Sequence, residues 1–229
     1  MDLKSLITIV IPCKNEGDQL IKTVSLIDDR IKIIVADVST DNTIDLLRDK
    51  FTNRKIKIVK GGLPAIGRNK GAKLVKTPYV LFLDADVMME DKNILSDCLK
   101  AAMEKKLDLV TVRFTVNDSL IYKFVYLVFD LIQRITSIST PFAVGGFMLF
   151  DMRKFNKLGG FDPEDKFAED YHLSSKVDPK KFSILNSQVV TTSRRFKNKG
   201  LFYMLSMMIR CWINRNDDNF YRRDYGYWD

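Results

Sequence analysis

Histidine occurs once in this 229-residue chain, at His172, and cysteine three times, at Cys13, Cys98 and Cys211. The cysteines are odd in number, far apart and free of C-x-x-C spacing. That argues against a disulfide framework or a cysteine-ligated zinc, and points to a reducing compartment. No apolar run reaches the roughly 20 residues that cross a bilayer. The stretch Leu201–Ile209 has the length of a buried helix, and the opening run from Leu6 to Ile11 stops at Pro12. That opening run has strand length and no cleavage site follows it, so a strand is expected there rather than a signal peptide. Internal repeats, low-complexity tracts and linkers rich in Gly, Ser or Pro are also missing. One domain over residues 1–229 is therefore expected.

What the chain has in excess is positive charge: 37 Lys and Arg against 29 Asp and Glu, a formal net charge of +8. Such an excess suits a polyanionic partner, whether nucleic acid, an anionic membrane surface or a phosphorylated ligand. Local density occurs at Arg68 to Lys70, at Lys180-Lys181 and from Arg194 to Lys199. No recognised nucleic-acid motif accompanies it, so no specific nucleic-acid partner is expected.

Apolar runs of strand length alternate with helical stripes through the first half. Strands are expected at Leu6–Ile11, Ile31–Val35, Ile56–Val59, Tyr79–Leu83 and Leu107–Thr115. Between them, stripes such as Leu20, Val24, Ile27 and Ile44, Leu47, Phe51 read as helices, as do Pro64 to Lys76 and Asn93 to Lys105. This order predicts an α/β fold with a mostly parallel sheet flanked by helices, and places ligands beyond the carboxyl ends of the strands. The second half is less regular. It reads as an amphipathic helix over Leu120–Ile138, an apolar strand Phe142–Phe150 containing Gly145-Gly146, and a turn at Gly159-Gly160. A short helix Ala168–Lys176, one or two strands within Phe182–Thr192 and an apolar helix Leu201–Ile213 follow.

Asp84-Ala85-Asp86 stands at the end of the fourth expected strand. Two carboxylates one residue apart offer Mg²⁺ or Mn²⁺ the oxygen ligands such hard cations prefer, and a cation there bridges the phosphates of a nucleotide. Taken alone, the pair reads equally as a polar strand end capping a helix. Its neighbours add context: Pro12-Cys13-Lys14-Asn15-Glu16 after the first strand, Asp37 to Thr43 after the second, and Gly67-Arg68-Asn69-Lys70-Gly71-Ala72 on the third helix. Gly145-Gly146, Gly159-Gly160-Phe161-Asp162 and Glu169-Asp170 continue the series downstream. In this order and spacing, the set from about Leu6 to about Phe196 resembles the inverting family 2 glycosyltransferases of the GT-A fold.

The resemblance implies a Rossmann-like GT-A sheet. Residues about 1–116 form a nucleotide-sugar-binding half, and about 117–229 an acceptor-side half with the C-terminal helix. It also implies metal-assisted, inverting transfer of a hexose-like sugar from a UDP or GDP donor to an acceptor hydroxyl. Pro12 and Glu16 would hold the nucleoside and Asp37 the base, although the usual Asp-Asp-Gly-Ser reads Ala36-Asp37-Val38-Ser39. Arg68 and Asn69 would lie near the ribose, sugar or diphosphate, with Arg68 suited to paired phosphate oxygens. Asp86 would be the metal ligand and Asp84 a nucleoside contact or second ligand. Gly145 and Gly146 would form a site wall, and Asp170 would be the catalytic base. The familiar Glu-Asp-x-Asp-Leu reads Glu169-Asp170-Tyr171-His172-Leu173 here, leaving His172 as a metal ligand, a substrate contact or a structural residue. Thr192 and Phe196 replace the Gln and Trp of processive members, so non-processive transfer is implied. Arg195, or Arg194, is left as a diphosphate contact or part of a basic loop.

Leu120–Ile138 and Leu201–Ile213 are expected to pack on the sheet or form a homodimer contact, since apolar helices mostly bury in a core. The alternative is an interfacial anchor with a lipid-linked acceptor, helped by the aromatic tail Phe220, Tyr221, Tyr225, Tyr227 and Trp228. The location that follows is cytoplasmic, with peripheral contact at a membrane's cytoplasmic face. Two rival functions remain. A nucleotidyltransferase is disfavoured by the absence of a Gly-rich basic loop after the first strand. A non-catalytic membrane or nucleic-acid binding module is disfavoured by the presence of Asp37, Asp84, Asp86 and Asp170.

Overall fold

A computed structural model describes residues 2–226. A short helical turn, α1 (Leu3–Leu6), leads into strand β1 (Ile7–Cys13). The first half then runs α2 (Gly17–Ser25), β2 (Lys32–Asp37), α3 (Thr43–Lys50), β3 (Ile56–Lys60), α4 (Pro64–Ala72), β4 (Tyr79–Leu83) and α5 (Ile94–Glu104). β5 (Leu109–Val116), α6 (Leu120–Thr136), β6 (Phe147–Asp151), α7 (Met152–Lys157), α8 (Glu169–Ser174) and β7 (Phe182–Thr191) follow. Helices α9 (Arg194–Lys199), α10 (Leu201–Ile213) and α11 (Asp218–Arg222) close the described chain.

The strands form one seven-stranded sheet in the order β3-β2-β1-β4-β6-β5-β7. β1 pairs in parallel with β2 and β4, β2 with β3, and β5 with β7. β6 is antiparallel to both neighbours, β4 and β5. β1 is buried along almost its whole length, as a central strand covered by helices on both faces must be. Two core clusters, one per face, include Ile9, Ile11 and Val35 on one side and Val10, Ile34 and Phe82 on the other. α4 begins with Pro64 in its first turn, where a missing N–H costs nothing. Its Gly71 lies so close to β1 that a Cβ would overlap the Val10 side chain.

The structure corrects the sequence reading in three places. Gly145-Gly146 is a turn preceding β6 rather than part of a strand, because β6 starts only at Phe147. Of the aromatic tail, Phe220 and Tyr221 are buried with Phe167, Tyr171, Met207 and Cys211 in a third cluster, where they cannot anchor elsewhere. Tyr227 and Trp228 lie outside the described residues. Finally, α6 packs against β5 as expected, through Tyr126, Asp130 and Gln133, but it leaves Leu120, Phe124, Leu127 and Leu131 exposed. No helix among the described residues is long and apolar enough to cross a membrane.

Candidate active site

Four loops at the carboxyl ends of β1, β2 and β4 and at the start of β6 face a common space. The first two are tied to each other. Asn15 takes a left-handed backbone (φ 55°), its amide donates to Ser39 Oγ at 2.8 Å, and its Oδ1 accepts from the Thr40 amide at 2.8 Å. Ser39 Oγ in turn donates to Asp37 Oδ1 at 2.6 Å, orienting the carboxylate at the end of β2. Gly61 closes the other side: its amide donates to the Asp37 carbonyl at 2.8 Å, and a Cβ on it would come within 2.6 Å of the Ala36 carbonyl. Pro12, Glu16 and Asp37 are thus gathered on one edge. Glu16 is engaged by Arg194, whose Nη1 lies 3.1 Å from Oε2, so the start of α9 reaches across this edge.

Asp84 and Asp86 follow β4, and the two carboxylates differ in surroundings. Asp84 Oδ1 accepts from Arg68 Nη2 at 2.6 Å, and the Asp84 amide donates to the Gly146 carbonyl at 3.3 Å. Asp86 Oδ2 accepts from Thr192 Oγ1 at 3.1 Å. Burial raises the Asp86 pKa and neighbouring Asp84 raises it further, while the positive charge of Arg195 opposes the shift. Asp86, withdrawn from water in this way, gains from a nearby cation, while Asp84 beside it is 29% exposed and already paired with Arg68. The chemistry of this pair therefore fits a divalent ion.

In the same lining, Ala168 holds a left-handed backbone (φ 50°) just before α8. This turn, unusual for a residue with a Cβ, aims the first two side chains of α8 into the space. Asp170 Oδ2 accepts from the Gly145 amide at 2.6 Å, and Oδ1 accepts from the Tyr171 amide at 2.8 Å. Burial raises the Asp170 pKa, an effect these amides partly oppose. Glu169 beside it is also raised, chiefly by burial, and pairs with Arg68 Nη1.

Arg68 is 1% exposed, and its two terminal nitrogens are committed to Asp84 and Glu169. The phosphate fork expected of Arg68 is instead a buried counter-charge joining α4, the end of β4 and α8. Gly145 is needed for this packing, because a Cβ would lie 2.7 Å from Arg68 Nη2 and 3.2 Å from Asp170 Oδ2. Asn69 likewise serves the frame: its side chain donates to the Phe161 carbonyl at 2.7 Å and accepts from the Phe161 amide at 3.1 Å.

The structure does not bring His172 to Asp86. Its Nδ1 lies 2.7 Å from Asp165 Oδ2, its Nε2 3.4 Å from Asp218 Oδ1, and its ring stacks on Tyr221 at 4.3 Å. Asp162, Asp165 and His172 bring three ligand-type atoms within 4.8 Å of one another. Those groups already pair, His172 with Asp165 and Asp162 with Arg222, which ties α11 to the loop before α8.

A cavity of about 540 Å³ is lined by Arg68, Asp84, Asp86, Asp170, Thr192 and Arg195 among others, and Arg194 in its wall links it to the edge that carries Glu16. Its walls also include residues of α6 and α10, such as Phe129, Ile132, Met208 and Trp212. Residues 8–159, about two thirds of the chain, match the family described as Glycosyl transferase family 2. The chain belongs to this family. It is 28% identical over 122 residues to the poly(ribitol-phosphate) beta-N-acetylglucosaminyltransferase TarP of Staphylococcus aureus, a match covering 48% of this chain and 37% of TarP. The mannosyltransferase PcManGT of Pyrobaculum calidifontis, solved with GDP-Man and Mn²⁺, shares the fold at a TM-score of 0.66 and 18% identity. That match covers 89% of this chain and 64% of PcManGT. Residues 1–349 of S. aureus TarS, solved with UDP-GlcNAc, match at a TM-score of 0.61 and 17% identity, over 82% of this chain and 58% of that one. The chain thus spans less than two thirds of each. These structures bear out the GT-A sheet expected for family 2.

Two partners were illegible in sequence. The tie of Arg68 to Glu169 spans 101 positions, and that of Thr192 to Asp86 spans 106. Neither pair has a local spacing that could announce it.

Proposed function

We propose that the chain is an inverting, metal-dependent glycosyltransferase that moves one sugar from a nucleoside diphosphate sugar to an acceptor oxygen. The observation that carries this is that Asp84, Asp86 and amide-held Asp170 line one cavity. Asp37, Pro12 and Glu16 would receive the nucleoside, with Asp37 accepting an N–H from its base. Asp86, with Asp84 beside it, would hold Mn²⁺ or Mg²⁺, and Arg195 would add positive charge near the diphosphate. The ion, when bound, neutralises charge on the departing diphosphate. Asp170 takes the acceptor's proton as its oxygen attacks the anomeric carbon from the face opposite the leaving group. Burial suits Asp170 to this task, because a raised pKa makes its carboxylate a stronger base. Arg68 holds the frame rather than the donor. Donors of the UDP and GDP classes are bound by the structural relatives, and both are reasonable starting points here.

The test is incubation with a panel of UDP- and GDP-sugars with Mn²⁺ or Mg²⁺, reading nucleoside diphosphate release. Release that depends on the ion and is lost in Asp86→Ala and Asp170→Asn is expected. Release unchanged in Asp170→Asn would remove the base assignment, and binding of no nucleotide sugar would remove the reading altogether.

A further inference from the structure

α6 faces the protein with Tyr122, Tyr126 and Phe129 beside Asp130 and Gln133, and still carries a second apolar face outward. The helix turns Asp130 and Gln133 inward, where Asp130 pairs with Arg113 and Arg134, and Gln133 Nε2 donates to the Phe142 carbonyl at 2.7 Å. Outward stand Leu120, Ile121, Phe124, Leu127, Leu131 and Ile135, with Leu120 85% exposed. A helix that merely covers a sheet in water keeps its outer face polar. α10 continues the surface with Phe202, 87% exposed, and with Ile209, Trp212 and Ile213. Isolated exposed apolar residues need no explanation, but rows of them on two helices that wall one cavity mark a surface that meets something apolar.

The same two helices flank the active-site cavity. It is lined at once by half-buried Asp170 and by solvent-facing Ile132 and Trp212, so it leads from the reacting groups to the apolar surface. Charge selects the occupant. Residues 192–216 carry Arg194, Arg195, Lys197, Lys199, Arg210 and Arg215 and no acidic residue. Arg194 pairs with Glu16 and Lys197 with Asp118, yet the segment stays net basic; a second copy docked symmetrically would set it near its own image, whereas anionic lipid head groups attract it.

We propose that α6 and α10 lie in an anionic membrane surface, and that the cavity between them admits the hydrocarbon chain of a lipid acceptor whose head group reaches Asp170. This rests on the glycosyltransferase reading above and names its acceptor class. α6, at 17 residues, lies along the interface rather than across it. The head-group O–H gives its proton to the Asp170 carboxylate while its oxygen bonds to the anomeric carbon. The bond from that carbon to the diphosphate oxygen breaks, and its electron pair leaves on the nucleoside diphosphate. A polyol-phosphate polymer fits this lining less well, because beyond the carboxylates, the arginines and Thr136, Thr191 and Thr192 the walls are mostly apolar.

The experiment floats the full chain with vesicles of phosphatidylcholine alone, or with about 30% phosphatidylglycerol added. It then supplies labelled nucleotide sugar with vesicles of total membrane lipid from the producing cells, or with soluble poly(ribitol phosphate). Expected are salt-sensitive flotation with the anionic vesicles and label in the organic phase. The double variant Phe124→Glu/Phe202→Glu should keep its fold by circular dichroism and lose about tenfold or more in both readouts. Absence of flotation, a dimer in sedimentation that the double variant splits, or label entering only the soluble polymer would each overturn the proposal. Calorimetric donor binding without lipid separates the two readings. Binding without lipid labelling removes the lipid acceptor alone, and no binding removes the glycosyltransferase.

Discussion

Asp170 takes its position from backbone rather than from another side chain: the amides of Gly145 and Tyr171 each donate to one of its oxygens. Asp170→Asn should therefore retain donor binding while kcat falls by about 10²–10⁴, the usual worth of a positioned base. Burial raises the Asp170 pKa, so the carboxylate fills with protons at a higher pH than an exposed one. The acid limb of kcat/KM should lie above the ordinary carboxylate value of about 4, with activity rising as pH climbs through it. A pH-rate profile checks this, and a limb at the ordinary value would contradict it. Arg68 carries a different burden. Its removal leaves Glu169 buried without its counter-charge, so Arg68→Met should cost about 3–5 kcal/mol in urea unfolding. Arg68→Lys should recover part of this, because one ammonium keeps the charge but cannot span both carboxylates as a fork does.

Among the elements, α8 depends on how it begins. Ala168 adopts the left-handed region at its start, and the turn points Glu169 and Asp170 at Gly145 and Arg68. Ala168→Gly should keep turnover, with stability within about 1 kcal/mol of the parent, since glycine takes this conformation freely. A β-branched Ala168→Val should lose about 1–3 kcal/mol and lower kcat by moving Asp170, read by thermal melting and steady-state kinetics. At the element scale much was legible in advance. The runs of Ile and Val at β1 and β2 could only be central strands, and Pro64 marked the start of α4. The Phe142 to Gly146 stretch was not legible. Its residues are as apolar as those of β6, but Gly145 is drawn out of the strand to pack on Arg68, a partner from another part of the chain.

In the whole molecule, the two core clusters on the sheet contain no buried residue beyond Val189, whereas the third is built largely from α10, α11 and the loop before α8. A chain ending at Ser193 should therefore keep a folded sheet by circular dichroism but lose transfer, because Phe167 and Tyr171 beside Asp170 lose their cover. Retained transfer would show that the C-terminal helices serve no part of the site. The strand-helix alternation, the strand-end places of Asp37, Asp84 and Asp86, and the place of Asp170 on a short helix were all readable from sequence, because periodicity and strand-end position are local properties. What only the tertiary structure decided is non-local. It inserted β6 antiparallel between β4 and β5, buried Arg68 between two acids, paired His172 with Asp165, and left an apolar face of α6 outward. An amphipathic pattern specifies that a helix has two faces. Which face meets the protein depends on what the rest of the chain presents to it, and here that is Arg113 and the Phe142 carbonyl, which claim Asp130 and Gln133.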